Sequence, residues 1–310
     1  MIVLQSANLV VRVDPGHGGE ILDLVELRTG RQLLGRPPFG STAPVAGDLD
    51  EATWTSSYRG GWQVLLPNAG NACRVDGRPH GFHGRASNDP WSVETLDESS
   101  ATLGWSGHGL EARRRLRLEG GGLTVGVDVK AGGARVPLVA VEHVALGLEL
   151  LDPEVVLELP GGRAFELDEV SGPPEPPSDA PPWPEVRLLD DSAERADCWP
   201  LSRERSRLFC VADLPTGRIV VRNAERGHGF ELTWDAGWLR HAWVWHEART
   251  YGGPWRRGAE LLVVEPASVP HSLGLAAAVE HGQARWLEPG ATCGYELFAR
   301  PLAAGEDAAP

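Results

Sequence analysis

Short runs of alternating apolar and polar residues recur from end to end of the chain, and apolar positions at helical spacing are nowhere sustained over ten residues. Period-two alternation places successive side chains on opposite faces of a strand, so the pattern predicts a chain built mostly of strands. Residues 8–14 read as the first of them. Residues 113–118 and 123–130 flank Glu119-Gly120-Gly121-Gly122, and glycines that accept positive φ predict a hairpin here. Its Leu116, Leu118, Val125 and Val127 are expected in the core and its arginines in water. Similar strand–turn–strand readings apply across Thr29-Gly30 within residues 20–34, and across Glu288-Pro289-Gly290 within residues 283–298.

Regular strand spacing of this kind predicts an all-β sandwich or barrel. Residues 172–184 hold seven prolines, which cannot pair in a sheet and so predict a surface loop. The same patterning continues on both sides, which makes the loop an excursion from one sandwich rather than a linker. A single domain over residues 1–302 is expected, with residues 303–310, rich in Ala, Gly and acidic side chains, as a disordered tail.

The chain has 310 residues, 42% of them hydrophobic, enough for a large core. A formal charge of -14 argues against a nucleic-acid partner, whose affinity rests on basic patches. No stretch approaches the roughly 20 apolar residues of a membrane helix, and Met1 is followed by neither a basic segment nor a cleavage site. The expected location is the cytoplasm, with no membrane partner. Cys73, Cys198, Cys210 and Cys293 are scattered, which favours free thiols. Lys130 is the sole lysine, and its place at the end of a predicted strand argues against Schiff-base or phosphate-loop chemistry. His246-Glu247 lacks the rest of HExxH, and His108 interrupts a nucleophile elbow around Ser106.

Three distant segments combine ionisable groups with glycine or aromatic residues. The first runs Arg59-Gly60-Gly61-Trp62-Gln63-Val64-Leu65-Leu66-Pro67-Asn68-Ala69-Gly70, followed by His80-Gly81-Phe82-His83-Gly84-Arg85 and Trp91. The second is Val141-Glu142-His143-Val144-Ala145-Leu146-Gly147, where alternation turns Glu142 away from the His143 face. A lone histidine on an apolar strand is more often a bonded core residue than a catalyst. The third is Leu261-Leu262-Val263-Val264-Glu265-Pro266-Ala267-Ser268; a carboxylate ending an apolar strand must be paired, bonded or neutral, so Glu265 reads either as a base of raised pKa or as half of an arginine salt bridge.

In this order, these segments resemble those of the aldose 1-epimerase (galactose mutarotase-like) family. The resemblance spans roughly residues 8–301 and implies one large antiparallel β-sandwich. It implies a sugar substrate interconverted between α and β anomers by acid/base ring opening, without metal or cofactor. It makes His83 a substrate-contacting histidine, His143 the general acid and Glu265 the general base. His80, lacking the glycine at the right distance from tryptophan, is expected in a turn. The Arg59-Gly60-Gly61 run is also similar to the hexose-6-phosphate branch, which has arginine where this chain has Ser87; Arg85 is the expected stand-in. Twelve tryptophans offer flat faces for sugar C–H groups. Trp62, Trp91, Trp243, Trp245 and Trp255 lie near the motifs, and Arg59, Arg85, Trp62, Trp91 and Trp245 are the expected substrate-binding residues. A sugar binder without turnover, or glycoside cleavage with Glu142 or Asp235 as second carboxylate, are the competing readings.

Overall fold

The computed structural model describes residues 1–37, 45–152, 154–172, 174–199, 204–249 and 258–303. Trp255 and residues 304–310 of the expected tail lie outside this set. Strands make up 51% of the chain, and the described α-helices are short: Glu51–Ser57, Leu148–Leu151 and Leu275–Glu280.

Two large sheets face each other. The twelve-stranded sheet carries, as successive neighbours, Glu20–Glu26, Trp62–Leu65, Val141–Leu146, Glu260–Ala267, His241–Ala248 and Arg205–Ala212. The nine-stranded sheet includes Gly217–Asn223, His228–Trp234, Thr292–Ala303, Gly122–Ala131, Leu110–Glu119 and Ser100–Gly107, again as neighbours. Pairing between named strands is antiparallel except where Phe165 meets Arg187 in parallel. One large cluster fills the space between the sheets, with Val11, Trp62, Val144 and Val264 from one and Leu103, Leu116, Val125 and Leu297 from the other.

The glycine-turn hairpin forms as expected, Leu118 opposite Leu123 across a turn in which Gly120 and Gly121 take φ of 57° and 79°. Even-numbered residues of Leu110–Glu119 face inward without exception. Arg114 obeys that alternation and is fully buried, which corrects the expectation that all the hairpin's arginines face water. Residues 283–298 do not form one hairpin: Arg285–Leu287 pairs with Val136–Leu138, and Thr292–Ala303 joins the nine-stranded sheet. Alternation marks a strand but does not name its partner. The first predicted strand is the second, Leu9–Asp14, paired with Ile2–Gln5. In the proline-rich segment Ala164 N–H donates to Pro181 O, and Trp183 Nε1–H donates to Leu157 O at 3.3 Å, fastening the loop to the sandwich.

Candidate active site

Val144, Val264 and Val244 are direct cross-strand partners and point into the sandwich. By the two-residue period, His143, Glu265, Trp243 and Trp245 therefore point to the opposite face of the large sheet. The helix Glu51–Ser57 lies over that face. Asp50 caps it by accepting from Thr53 N–H at 2.8 Å, and Glu51 sits favourably in its first turn. Trp54 and Tyr58 pack with Leu49, Ala145, Leu261 and Val263 in a separate apolar cluster that walls the site.

Between sheet and cover lies a cavity of about 180 Å³. His83, His143 and Glu265 all line it, together with Trp54, Trp245 and Glu169. His143 Nε2 is 4.0 Å from Glu265 Oε1, beyond hydrogen-bond reach, and both side chains are only 3% exposed. Among the described residues, Glu265 Oε2, His143 Nδ1 and Ser272 Oγ, all buried, have no hydrogen-bond partner.

Burial dominates the titration of this pair. It pushes Glu265 up to about 8, helped by the charge of Glu169, and holds His143 down at about 3. His83 is held well below its usual value by burial and then by His143. Near neutral pH Glu265 is thus a carboxylic acid and the two imidazoles are uncharged. His83 Nδ1 accepts from Gly70 N–H at 3.1 Å, which leaves Nε2 as its N–H donor. The backbone there demands glycine: a Cβ on Gly70, at φ 77°, would collide with the Ser272 carbonyl, and one on Gly84, at φ 69°, with the Leu66 carbonyl. Trp54 meets the His83 ring edge-on at 4.4 Å, and its Nε1–H donates to Ser87 Oγ at 3.1 Å. Ser87 thus buttresses the cavity wall.

The remaining expected site residues lie elsewhere. Trp62 is buried inside the sandwich and donates to Glu142 at 2.5 Å. Trp91 is core, stacked on Trp105, with its Nε1–H donating to Ala86 O at 2.8 Å. Arg59 is bound by Asp14 at 2.8 Å and by Glu20. Arg85 pairs with Asp89 at 3.0 Å and faces a separate open depression with Glu94 and Arg113. Both arginine side chains are held by carboxylates. None of the four lines the cavity. His80 ends a short strand, buried and stacked on His108 at 4.5 Å.

Residues not anticipated include Trp54, Glu169, Arg207 and Ser272 in the lining, and Tyr58, whose ring meets His143 edge-on at 5.4 Å. Arg207 is itself paired with Glu166 at 3.0 Å. Behind the site, Glu142 accepts from Arg114 at 3.2 Å and from the Tyr295 hydroxyl at 2.8 Å, while Arg114 also donates to Gly19 O at 2.9 Å. This buried network ties the His143 strand to the opposite sheet. Among the described residues, no group of three or more His, Cys, Asp or Glu is placed to hold a metal ion.

No protein-family model matches the chain, and no curated protein matches it significantly. Solved structures do. The Slr1438 protein of Synechocystis sp. PCC 6803 aligns with TM-score 0.68 at 18% identity, over 97% of this chain and 95% of that one. A galactose mutarotase-like protein from Lactobacillus casei ATCC 334 aligns with TM-score 0.64 at 16% identity, over 97% and 99%. Galactose 1-epimerase from Lactobacillus acidophilus NCFM aligns with TM-score 0.61 at 13% identity, over 97% and 94%. Paired antiparallel sheets of this order, matched along nearly their whole length, give the chain the galactose mutarotase-like fold.

Proposed function

We propose that the chain is an aldose 1-epimerase that interconverts the anomers of a single sugar ring in the His83–His143–Glu265 cavity. The observation that carries this reading is a buried acid–imidazole pair 4.0 Å apart, with unpartnered polar atoms, in a cavity of about 180 Å³. Anomer exchange works on two oxygens attached to one carbon, O1 and the ring oxygen, so it needs two proton-transfer groups set close together but not bonded to each other.

In the proposed reaction Glu265 takes the proton from the O1 hydroxyl and His143 protonates the ring oxygen. The C1–ring-oxygen electron pair leaves with that oxygen, and C1=O1 forms. Rotation about C1–C2 and reversal of both transfers give the other anomer, so the pair's proton count is restored. Before sugar binds, burial puts the proton on Glu265. Sugar hydroxyls donating to Glu265 favour its carboxylate, and the proposed reaction requires its proton to reach His143 before the ring opens. In this reading His83 donates its Nε2–H to a sugar oxygen, and Trp245 and Trp54 offer ring faces or edges to C–H groups. Saturation-transfer NMR on free and 6-phosphorylated aldoses tests the reading; no catalysed exchange on any sugar shown to bind would leave a sugar-binding role instead. Glycoside cleavage loses support, because Glu142 is in the sandwich core and Asp235, in a turn bonded to Gly237 N–H at 2.7 Å, is outside the cavity lining.

A further inference from the structure

The cavity is unusual in its charge. Glu51 and Glu169 line it along with Glu265, and Arg207 is the cation lining it among the described residues. Arg207 is already committed to Glu166, so it does not neutralise the other two. Glu169 remains exposed as a residue, yet its carboxyl is raised by partial burial, then by the negative charges of Glu51 and Asp168. The charge of Glu169 in turn raises Glu265. Clustered carboxylates are commonly solvated, but this group adjoins buried polar atoms that lack partners among the described residues, Glu265 Oε2 and Ser272 Oγ, in the same cavity. A ligand with hydroxyls for the inner end and a positive charge for the Glu51–Glu169 end would satisfy both.

We propose that the sugar bound here carries a protonated amine, read by Glu169 and Glu51, so that the preferred substrate class is an amino sugar rather than a neutral or phosphorylated aldose. The inference rests on the cavity being the sugar site of the proposed reaction. A bound ammonium relieves the repulsion between the two carboxylates, whereas a phosphate would add charges to a site already in excess of negative ones. N-acetylation keeps the sugar ring but removes the positive charge, so it separates charge from sugar recognition.

Calorimetry on the full-length protein, at a pH where the amine is protonated, compares glucosamine, galactosamine, their N-acetyl derivatives, the parent hexoses and glucose 6-phosphate. Amine-bearing sugars are expected to bind roughly tenfold more tightly than their N-acetyl and parent counterparts, equivalent to about 1.4 kcal/mol. The ratio should collapse towards one in Glu169→Gln, shrink in Glu51→Gln, and fall with added salt. Equal or tighter binding of the parent hexose or the 6-phosphate overturns the inference. Exchange spectra on the same samples keep the two ideas apart: the affinity ranking without exchange sinks the epimerase reading alone, and exchange without the ranking sinks the amino-sugar reading alone. Unchanged melting temperatures in the two variants guard against misfolding as the cause.

Discussion

Glu265 and His143 show opposite consequences of one burial. The acid keeps its proton up to about 8 and the imidazole stays unprotonated down to about 3, so between those limits the pair carries one proton. The proposed reaction needs that single proton. Catalysed exchange should therefore fall as pH rises through about 8, when the pair loses it, after the spontaneous base-catalysed rate is subtracted. A rate still climbing above that point would mean that Glu265 is not involved. Glu265→Gln preserves size and one acceptor oxygen but cannot take a proton, and should lower exchange by about 10²–10⁴-fold while leaving sugar affinity largely intact. The same substitution has a stability signature. A carboxyl whose folded pKa exceeds its unfolded 4.5 contributes stability that is present at low pH and lost as pH rises through about 8. The glutamine variant should thus unfold at higher denaturant than the native protein at pH 8, the gap closing towards pH 4.5.

Two of the elements that carry groups of the proposed reaction can be broken separately. The His143 strand is tied through the core by Glu142, Arg114, Tyr295 and Trp62, all fully buried or nearly so. Arg114→Met leaves the Glu142 charge buried and uncompensated, a loss of about 3–5 kcal/mol. Adding Glu142→Leu should recover part of that loss, as a double-mutant cycle in urea would reveal; additive losses would mean that the pair is not coupled. The second element is the turn carrying His83, itself at φ 58° and followed by Gly84 at 69°. Gly84→Ala would press a methyl group onto the Leu66 carbonyl and cost about 1–3 kcal/mol. Because the turn also sets the Gly70–His83 hydrogen bond, exchange should drop by more than the unfolded fraction explains.

Across the whole molecule, burial keeps several histidines neutral: His80, His241 and His271 are held at about 4, and His143 lower still. Each has a folded pKa below its unfolded 6.5, so the unfolded chain takes up protons that the fold refuses. Their contribution is fully present above 6.5 and is lost as pH falls towards 4. The raised carboxyls of Glu265, Glu169 and Glu142 work in the other direction, but the buried imidazoles outnumber them. Stability is expected to peak near pH 6.5 and to decline steadily between 6.5 and 4.5, read as the urea midpoint at each pH; a flat profile over that interval would contradict the burial of these imidazoles as neutral groups.

Much of this molecule is written in local pattern. Alternation fixes which face of its strand a side chain takes, so His143 and Glu142 could be separated, and Glu265 on an apolar strand had to be paired, bonded or neutral. The same rule placed Arg114 inward, but the prevalence of surface arginines argued against reading it so. Glycine turns marked the 120–121 hairpin because few other residues accept that backbone. Tertiary structure alone decided which side of the large sheet was solvent cavity and which was sandwich core, since strand periodicity is blind to what covers each face. It therefore separated Trp245, in the cavity, from Trp62 and Trp91, in the core, although all three sit beside motifs. It also brought in Trp54, Glu169, Arg207 and Ser272 from four separate segments. The burial and the charge of Glu169 that together raise Glu265 come from atoms far apart in the chain, and only folding brings those atoms within reach of one another.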